Sequence, residues 1–189
     1  LVHPIASAAH IYGSNLVAME SFTHMSNHWS MYPGILKFYA DRSFVQGVNF
    51  SILHTFTSSP KRFGLPGIEY FAGTHFNQNV TWHKQSPEFI KYMARCQFLL
   101  RYGKPQSDFC LYEGDVPYEG WYGTNCWNGF RKYDRKRAYD YYPLKFDTVN
   151  NDVLLNGAKV VDGKLVLKSG MQYKAMFIDI PFNSVSPKS

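Results

Sequence analysis

Two short apolar runs, each closed by an ionisable residue and each followed by a loop and a helix, constrain the fold of this chain most. The first is Asn15-Leu-Val-Ala-Met-Glu20; the second is Val48 to Leu53, followed by His54. A continuous apolar run bounded by turn signals marks a strand buried on both faces, and such strands belong to parallel sheets. The surrounding segments fit. Pro4 to Tyr12, rich in Ala and Ile, reads as a helix stopped by Gly13. Residues 21 to 34 are polar and aromatic and read as a loop. Ile35 to Gln46 reads as a helix closed by Gly47, with Ile35, Phe38, Tyr39 and Val45 roughly on one face. A loop of about thirty residues follows His54, long enough to suggest a functional role. Ser86-Pro87-Glu88 then opens a third helix, with a capping hydroxyl, a proline in the first turn and an acid at the positive dipole end. Phe89, Met93, Cys96 and Leu100 keep the helical period up to Gly103. The alternation of strand, loop and helix is parallel α/β architecture.

After Lys104-Pro105 the pattern restarts, so a domain boundary is expected near 103 to 107. Asp108 to Tyr112 reads as a strand, Glu113 to Pro143 as irregular, and Phe146 to Asn156 as a short helix. Lys159 to Leu167 reads as a hairpin, because Asp162-Gly163 suits a tight primed turn. Tyr173 to Ile180 reads as one more strand, stopped by Pro181.

Several function classes are disfavoured at this point. With 45% hydrophobic and 18% charged residues, the 189-residue chain can bury a core and is not a disordered tail. The net charge of +6 is spread thinly except at Arg131, Lys132, Arg135, Lys136 and Arg137. That cluster is interrupted by Tyr133 and Asp134 and reads as a solvated loop, not a nucleic-acid-binding stripe. No apolar run is long enough for a membrane span. Cys96, Cys110 and Cys126 make neither a disulfide framework nor a metal-ligand spacing. No phosphate loop or G-x-G-x-x-G follows a strand, and no G-x-S-x-G elbow is present. The opening Leu1-Val-His-Pro, with no initiator Met or signal peptide, leads us to expect a piece of a longer protein.

Glu20 is the leading candidate for chemistry. It closes an apolar strand, where a carboxylate is expensive to bury unless it is used or paired. His54 holds the equivalent place on the next strand, and ligands of parallel α/β folds bind at the carboxyl ends of strands. The plain alternative is that Glu20 ion-pairs with a Lys or Arg and His54 donates to a backbone carbonyl. The loops beyond carry His24, Asn27, His28 and Trp29 in one case and His75, Asn77, Asn79, Trp82 and His83 in the other. Aromatic faces can stack on sugar rings while Asn and His bond hydroxyls; ordinary loop packing is the competing account. The aromatic content of 17% suits sugar clefts and large cores alike. His24 and His28 stand four apart, but the glutamate of a zinc-hydrolase helix is missing, and no metal site is expected. Asn49-Phe-Ser51 and Asn79-Val-Thr81 match the glycosylation pattern, the first inside an expected buried strand.

An ordered series of strings resembles the α-L-rhamnosidases of glycoside hydrolase family 106. It begins with Ala6-Ser-Ala-Ala-His-Ile-Tyr-Gly13 and Leu16-Val-Ala-Met-Glu-Ser-Phe-Thr23. It continues through Gly47-Val-Asn49, His54-Thr-Phe56, Gly73-Thr-His-Phe-Asn-Gln-Asn-Val-Thr-Trp82 and Tyr92-Met-Ala-Arg-Cys-Gln-Phe-Leu-Leu100. Asp147 to Leu155 and Asp162-Gly-Lys-Leu-Val-Leu167 complete it, so that nearly the whole chain is covered.

The resemblance implies that residues 1–104 are the last part of a (β/α)8 glycosidase barrel and that 105–189 begin a glutamine-amidotransferase-like α/β domain. It implies an inverting exo-glycosidase that removes terminal α-L-rhamnose from pectic or other plant glycosides, with Glu20 catalytic and assigned the base role. The partner carboxylate would come from an earlier strand, so this chain alone should be inactive. His54, His75, Asn77, Trp82 and Trp29 become candidate sugar contacts. No cofactor is expected within the chain, although the family associates with calcium. The expected partners are an oligosaccharide or polysaccharide substrate and the rest of the barrel, and the expected address of the parent is secreted or periplasmic. Two alternatives are another barrel glycosidase of β-galactosidase type and a non-catalytic carbohydrate-binding relative; a third, an unrelated α/β binding protein, leaves the ordered strings unexplained.

Overall fold

The computed structural model describes residues 2–25, 28–112, 114 and 145–178. The basic cluster at 131–137, Cys126, Asn27 and the end of the last expected strand lie outside the described residues. The chain divides into two compact units, Leu1–Ala6 with Asn15–Lys104, and Ser7–Ser14 with Pro105–Ser189. Helix α1, Val2–Tyr12, therefore contributes its first turn to one unit and the remainder to the other.

In the first unit, strands β1 (Ala18–Ser21) and β2 (Phe50–Leu53) pair in parallel, with Glu20 opposite Ile52 and Ser21 opposite Leu53. Asn49 locks their entrances: its side-chain oxygen accepts from the Val17 N–H at 2.8 Å and its amide donates to the Asn15 carbonyl at 2.9 Å. The residue is buried with both ends of its amide occupied, so its glycosylation pattern has no accessible acceptor. The expectation of strands buried on both faces is not met. Ile52 is 54% exposed and Phe50 is also open, because two strands cannot cover their own faces.

Helices α2 (Pro33–Val45) and α3 (Ser86–Leu100) bury Leu36 and Ala40 against Phe89 and Met93, pairs spaced four apart on one face of each helix. Pro33 starts α2 two residues earlier than the apolar spacing indicates, since its fixed φ suits the first turn. Ser86 does not cap α3. It lies within the helix and its hydroxyl donates to the His83 carbonyl at 2.7 Å. Tyr92 of α3 donates its hydroxyl to Asp41 of α2, and Lys37 bridges to the same carboxylate while lying 4.6 Å from the Tyr92 ring. The bond to Asp41, followed by desolvation, pushes the Tyr92 hydroxyl up to about 12.

The second unit is built on a parallel three-stranded sheet. Strand β3 (Phe109–Tyr112) lies at its centre, flanked by β4 (Phe146–Val149) and β8 (Ala175–Ile178). The expected helix over 146–156 is thus corrected. Residues 146–149 are a strand, and helix α4 spans only Asn151–Gly157. The boundary is chemical: the Asn150 side chain accepts from the Val153 N–H at 3.0 Å and starts the helix there.

Strands β5 (Ala158–Val161), β6 (Lys164–Leu167) and β7 (Gln172–Tyr173) form an antiparallel meander. Its first turn has φ +48° at Asp162 and +72° at Gly163, the primed geometry expected of the pair. The single strand expected over 173–180 is instead divided at Lys174, Tyr173 pairing with β6 and 175–178 with β3.

Ile11, Cys110, Tyr112, Val149, Val153, Leu167, Met171 and Tyr173 form this unit's core. Within it lies a carboxyl group, Asp147, only 3% exposed. It stands 2.8 Å from His10 Nδ1 of α1 and accepts the Tyr173 hydroxyl at 2.9 Å. Burial, then the neighbouring Asp147, pushes the Cys110 thiol up to about 12, so this cysteine is an inert core residue.

Candidate functional site at the strand ends

The first unit gathers its polar and aromatic side chains where β1 and β2 end. Glu20 is the penultimate residue of β1 and is exposed; the Thr23 hydroxyl donates to its Oε1. The expected burial of this carboxylate is therefore corrected, for the same reason that Ile52 is open. At the neighbouring strand end, the His54 N–H donates to the Ser21 carbonyl at 2.9 Å, extending the parallel ladder by one residue.

Residues 73–76 cross above both strands. The Gly73 N–H donates to His24 O at 2.7 Å, and the Thr74 N–H to Phe22 O and His54 O at 3.0 and 2.9 Å. Thr55 N–H returns to Thr74 O at 2.9 Å. Phe22 has φ +70°, a conformation that a bulky residue holds only when its surroundings impose it. Here the Thr74 hydroxyl adds a second bond to the Phe22 carbonyl at 3.2 Å.

This crossing makes Gly73 irreplaceable. Its φ is +89°, and a Cβ there would lie 2.4 Å from His54 Nδ1 and 2.8 Å from His54 O. Gly73→Ala is expected to destabilise by more than about 1 kcal/mol, read as a lower melting temperature of the full-length protein. A melting curve unchanged from wild type would contradict the crossing.

An open cleft of about 390 Å³ lies between residues 54–58 on one side and 68–70 on the other. His54 meets Tyr70 edge-on, with ring centroids 5.4 Å apart, and its Nδ1 is shut away from solvent with no hydrogen-bond partner among the described residues. Trp29 donates its indole N–H to Glu69 of the cleft wall and stacks on His75 at 4.1 Å between centroids.

The other candidates serve the scaffold. Asn77 is fully buried; its amide donates to Thr57 O and its oxygen accepts from Asn79 N–H, both at 3.0 Å. Trp82 is 8% exposed, donates to Met31 O at 2.7 Å and packs in the α2–α3 core. In this structure neither presents a face to a ligand, because each has spent its polar groups holding the loop. Asn79 likewise donates to Pro66 O at 2.8 Å and to Ser59 Oγ at 3.2 Å.

The structure thus brings together Glu20 and His54 at adjacent strand ends, with Trp29 and the fully buried His75 supporting the cleft wall. It adds three residues that the sequence reasoning missed: Thr23, Glu69 and Tyr70. Glu69 and Tyr70 follow a Pro66-Gly67 turn, the one available hint that the chain doubles back there.

Among the described residues no group of three or more His, Cys, Asp or Glu side chains could hold a metal ion. No described helix is long and apolar enough to cross a membrane.

Parallel strands alternating with helices, with Glu20 and His54 at adjacent strand ends and an open cleft that begins at His54, define a mixed α/β protein. A family model described as α-L-rhamnosidase, glycoside hydrolase family 106, matches residues 2–189, and the chain belongs to that family. The whole chain superposes on 17% of a rhamnosidase from Novosphingobium sp. PP1Y, with a TM-score of 0.72 and 25% identity. Over 112 residues, 59% of this chain, it is 37% identical to a protein of Formosa agariphila provisionally named as a β-glucuronidase. The chain spans 10% of that relative's length.

Proposed function

We propose that this chain supplies the last part of the catalytic (β/α)8 barrel and the start of a glutamine-amidotransferase-like domain in an inverting exo-α-L-rhamnosidase. The enzyme would act on plant pectic polysaccharides or glycosides, outside the cytoplasm. The observation that carries the reading is Glu20, an exposed carboxylate held by Thr23 at the carboxyl end of a parallel strand. An inverting displacement needs two carboxyl groups about 6.5–9.5 Å apart, one to protonate the leaving oxygen and one to activate water. Glu20 is assigned the base. The acid is assigned to an earlier barrel strand, outside this chain, and the chain alone is then inactive.

The reading is tested by NMR of the reaction of the full-length protein with an aryl α-L-rhamnoside. Inversion requires the β-anomer of rhamnose to be released first and then to mutarotate. Initial release of the α-anomer would overturn the mechanism, and failure to release rhamnose would overturn the substrate. The relative's name makes an aryl β-D-glucuronide the second substrate to assay; turnover of that compound alone would move the activity to a different glycosidase.

A further inference from the structure

We propose that Glu69 determines specificity: its carboxylate, fixed in the cleft wall by Trp29, accepts hydroxyls of a neutral sugar and repels a uronic acid. The inference rests on the glycosidase reading above and concerns which sugars enter this cleft.

Three observations carry it. First, the position of Glu69 is built. Its Oε1 takes the Trp29 indole N–H, and the Trp29 ring lies on the fully buried His75 imidazole. A carboxylate supported through two rings keeps its place better than a free surface side chain. Second, Glu69 is exposed, and its other oxygen carries no hydrogen bond among the described residues. An ionised carboxylate only accepts, so adjacent hydroxyls of a sugar are its natural partners.

Third, the residues lining the cleft include no lysine or arginine. A uronate's carboxylate would find no cation among them to offset the like charge of Glu69. His54 offers little compensation, because its Nδ1 is enclosed beside Gly73 and contact with a ligand must run through the rest of the ring. Tyr70, 42% exposed, supplies an apolar face for the ring of a neutral sugar.

The test uses the full-length protein and Glu69→Gln, which retains an oxygen for the Trp29 indole and so should preserve the fold. L-Rhamnose, L-mannose and L-mannuronate differ only at C6, as methyl, hydroxymethyl and carboxylate. As inhibitors of aryl α-L-rhamnoside hydrolysis at pH 7, L-mannuronate is expected to be at least about 10-fold weaker than L-mannose with wild type. Glu69→Gln should narrow that gap to within about threefold, and should raise KM about 10-fold while changing kcat less than about threefold. An unchanged inhibition ratio in the variant, or tighter binding of the uronate by wild type, would overturn the proposal. If no rhamnose is released, calorimetry with phenyl β-D-glucoside and phenyl β-D-glucuronide reads the same selectivity, so loss of the rhamnoside reading and loss of the Glu69 assignment remain separate results.

Discussion

Glu20→Gln in the full-length protein is expected to lower kcat on an aryl α-L-rhamnoside by about 10²–10⁴-fold, with KM changed by less than about threefold. The amide matches the carboxylate in size and keeps an oxygen for the Thr23 hydroxyl, so the end of β1 should retain its geometry. In the base role proposed for Glu20, what it would lose is the ability to take a proton from water. Because Glu20 is exposed, the substitution leaves no buried group unsatisfied, and the melting temperature should stay within about 2 °C of wild type, as for other surface changes. Thr23→Val removes only the donor that orients the carboxylate. Its expected effect is a smaller fall in kcat, about 10-fold, with substrate binding preserved. A Glu20→Gln variant retaining wild-type kcat would remove Glu20 from the catalytic pair and return it to the surface.

Local features that the chain satisfies by itself were legible in the sequence. The apolar runs ending at Glu20 and Leu53 became β1 and β2, and Asp162-Gly163 became a primed turn, because two-residue turn chemistry depends on its own φ values. Features resting on distant partners were not legible. Phe146-Asp-Thr-Val149 resembles the beginning of the apolar stretch in α4, and only pairing with β3 makes it a strand. Trp82 resembles an exposed sugar platform until its indole N–H is seen to reach Met31, fifty-one residues earlier. Asn77 likewise looks available until both ends of its amide are found bonded inside the loop. Glu69 carried no pattern of its own; its place is defined by Trp29, forty residues away. The sequence therefore pointed to the strand ends, while the composition of the cleft wall came from pairings across the loops.

The same dependence on remote partners makes Asp147→Ala the substitution expected to destabilise this chain most. Asp147 is 3% exposed, with one oxygen 2.8 Å from His10 Nδ1 and the other bonded to the Tyr173 hydroxyl at 2.9 Å. Removing the carboxyl leaves the Tyr173 hydroxyl unpartnered in a fully buried position and takes the acceptor from His10. A buried polar group without its partner costs about 1–3 kcal/mol. With two partners abandoned and a small void beside Cys110, the expected loss is about 3–5 kcal/mol. Asp147→Asn should cost less, because its single oxygen still serves one of the two. Tyr173→Phe tests the network from the other end: the ring stays packed, Asp147 keeps His10, and the loss should be about 1–2 kcal/mol. The order Asp147→Ala, then Asp147→Asn, then Tyr173→Phe is read from urea unfolding of the full-length protein followed by circular dichroism, a readout that all three variants share. Equal and small effects from all three would mean that the carboxyl is solvated in solution, and that the packing of β4 against α1 rests on apolar contacts and the Ser7–Thr148 backbone bonds alone.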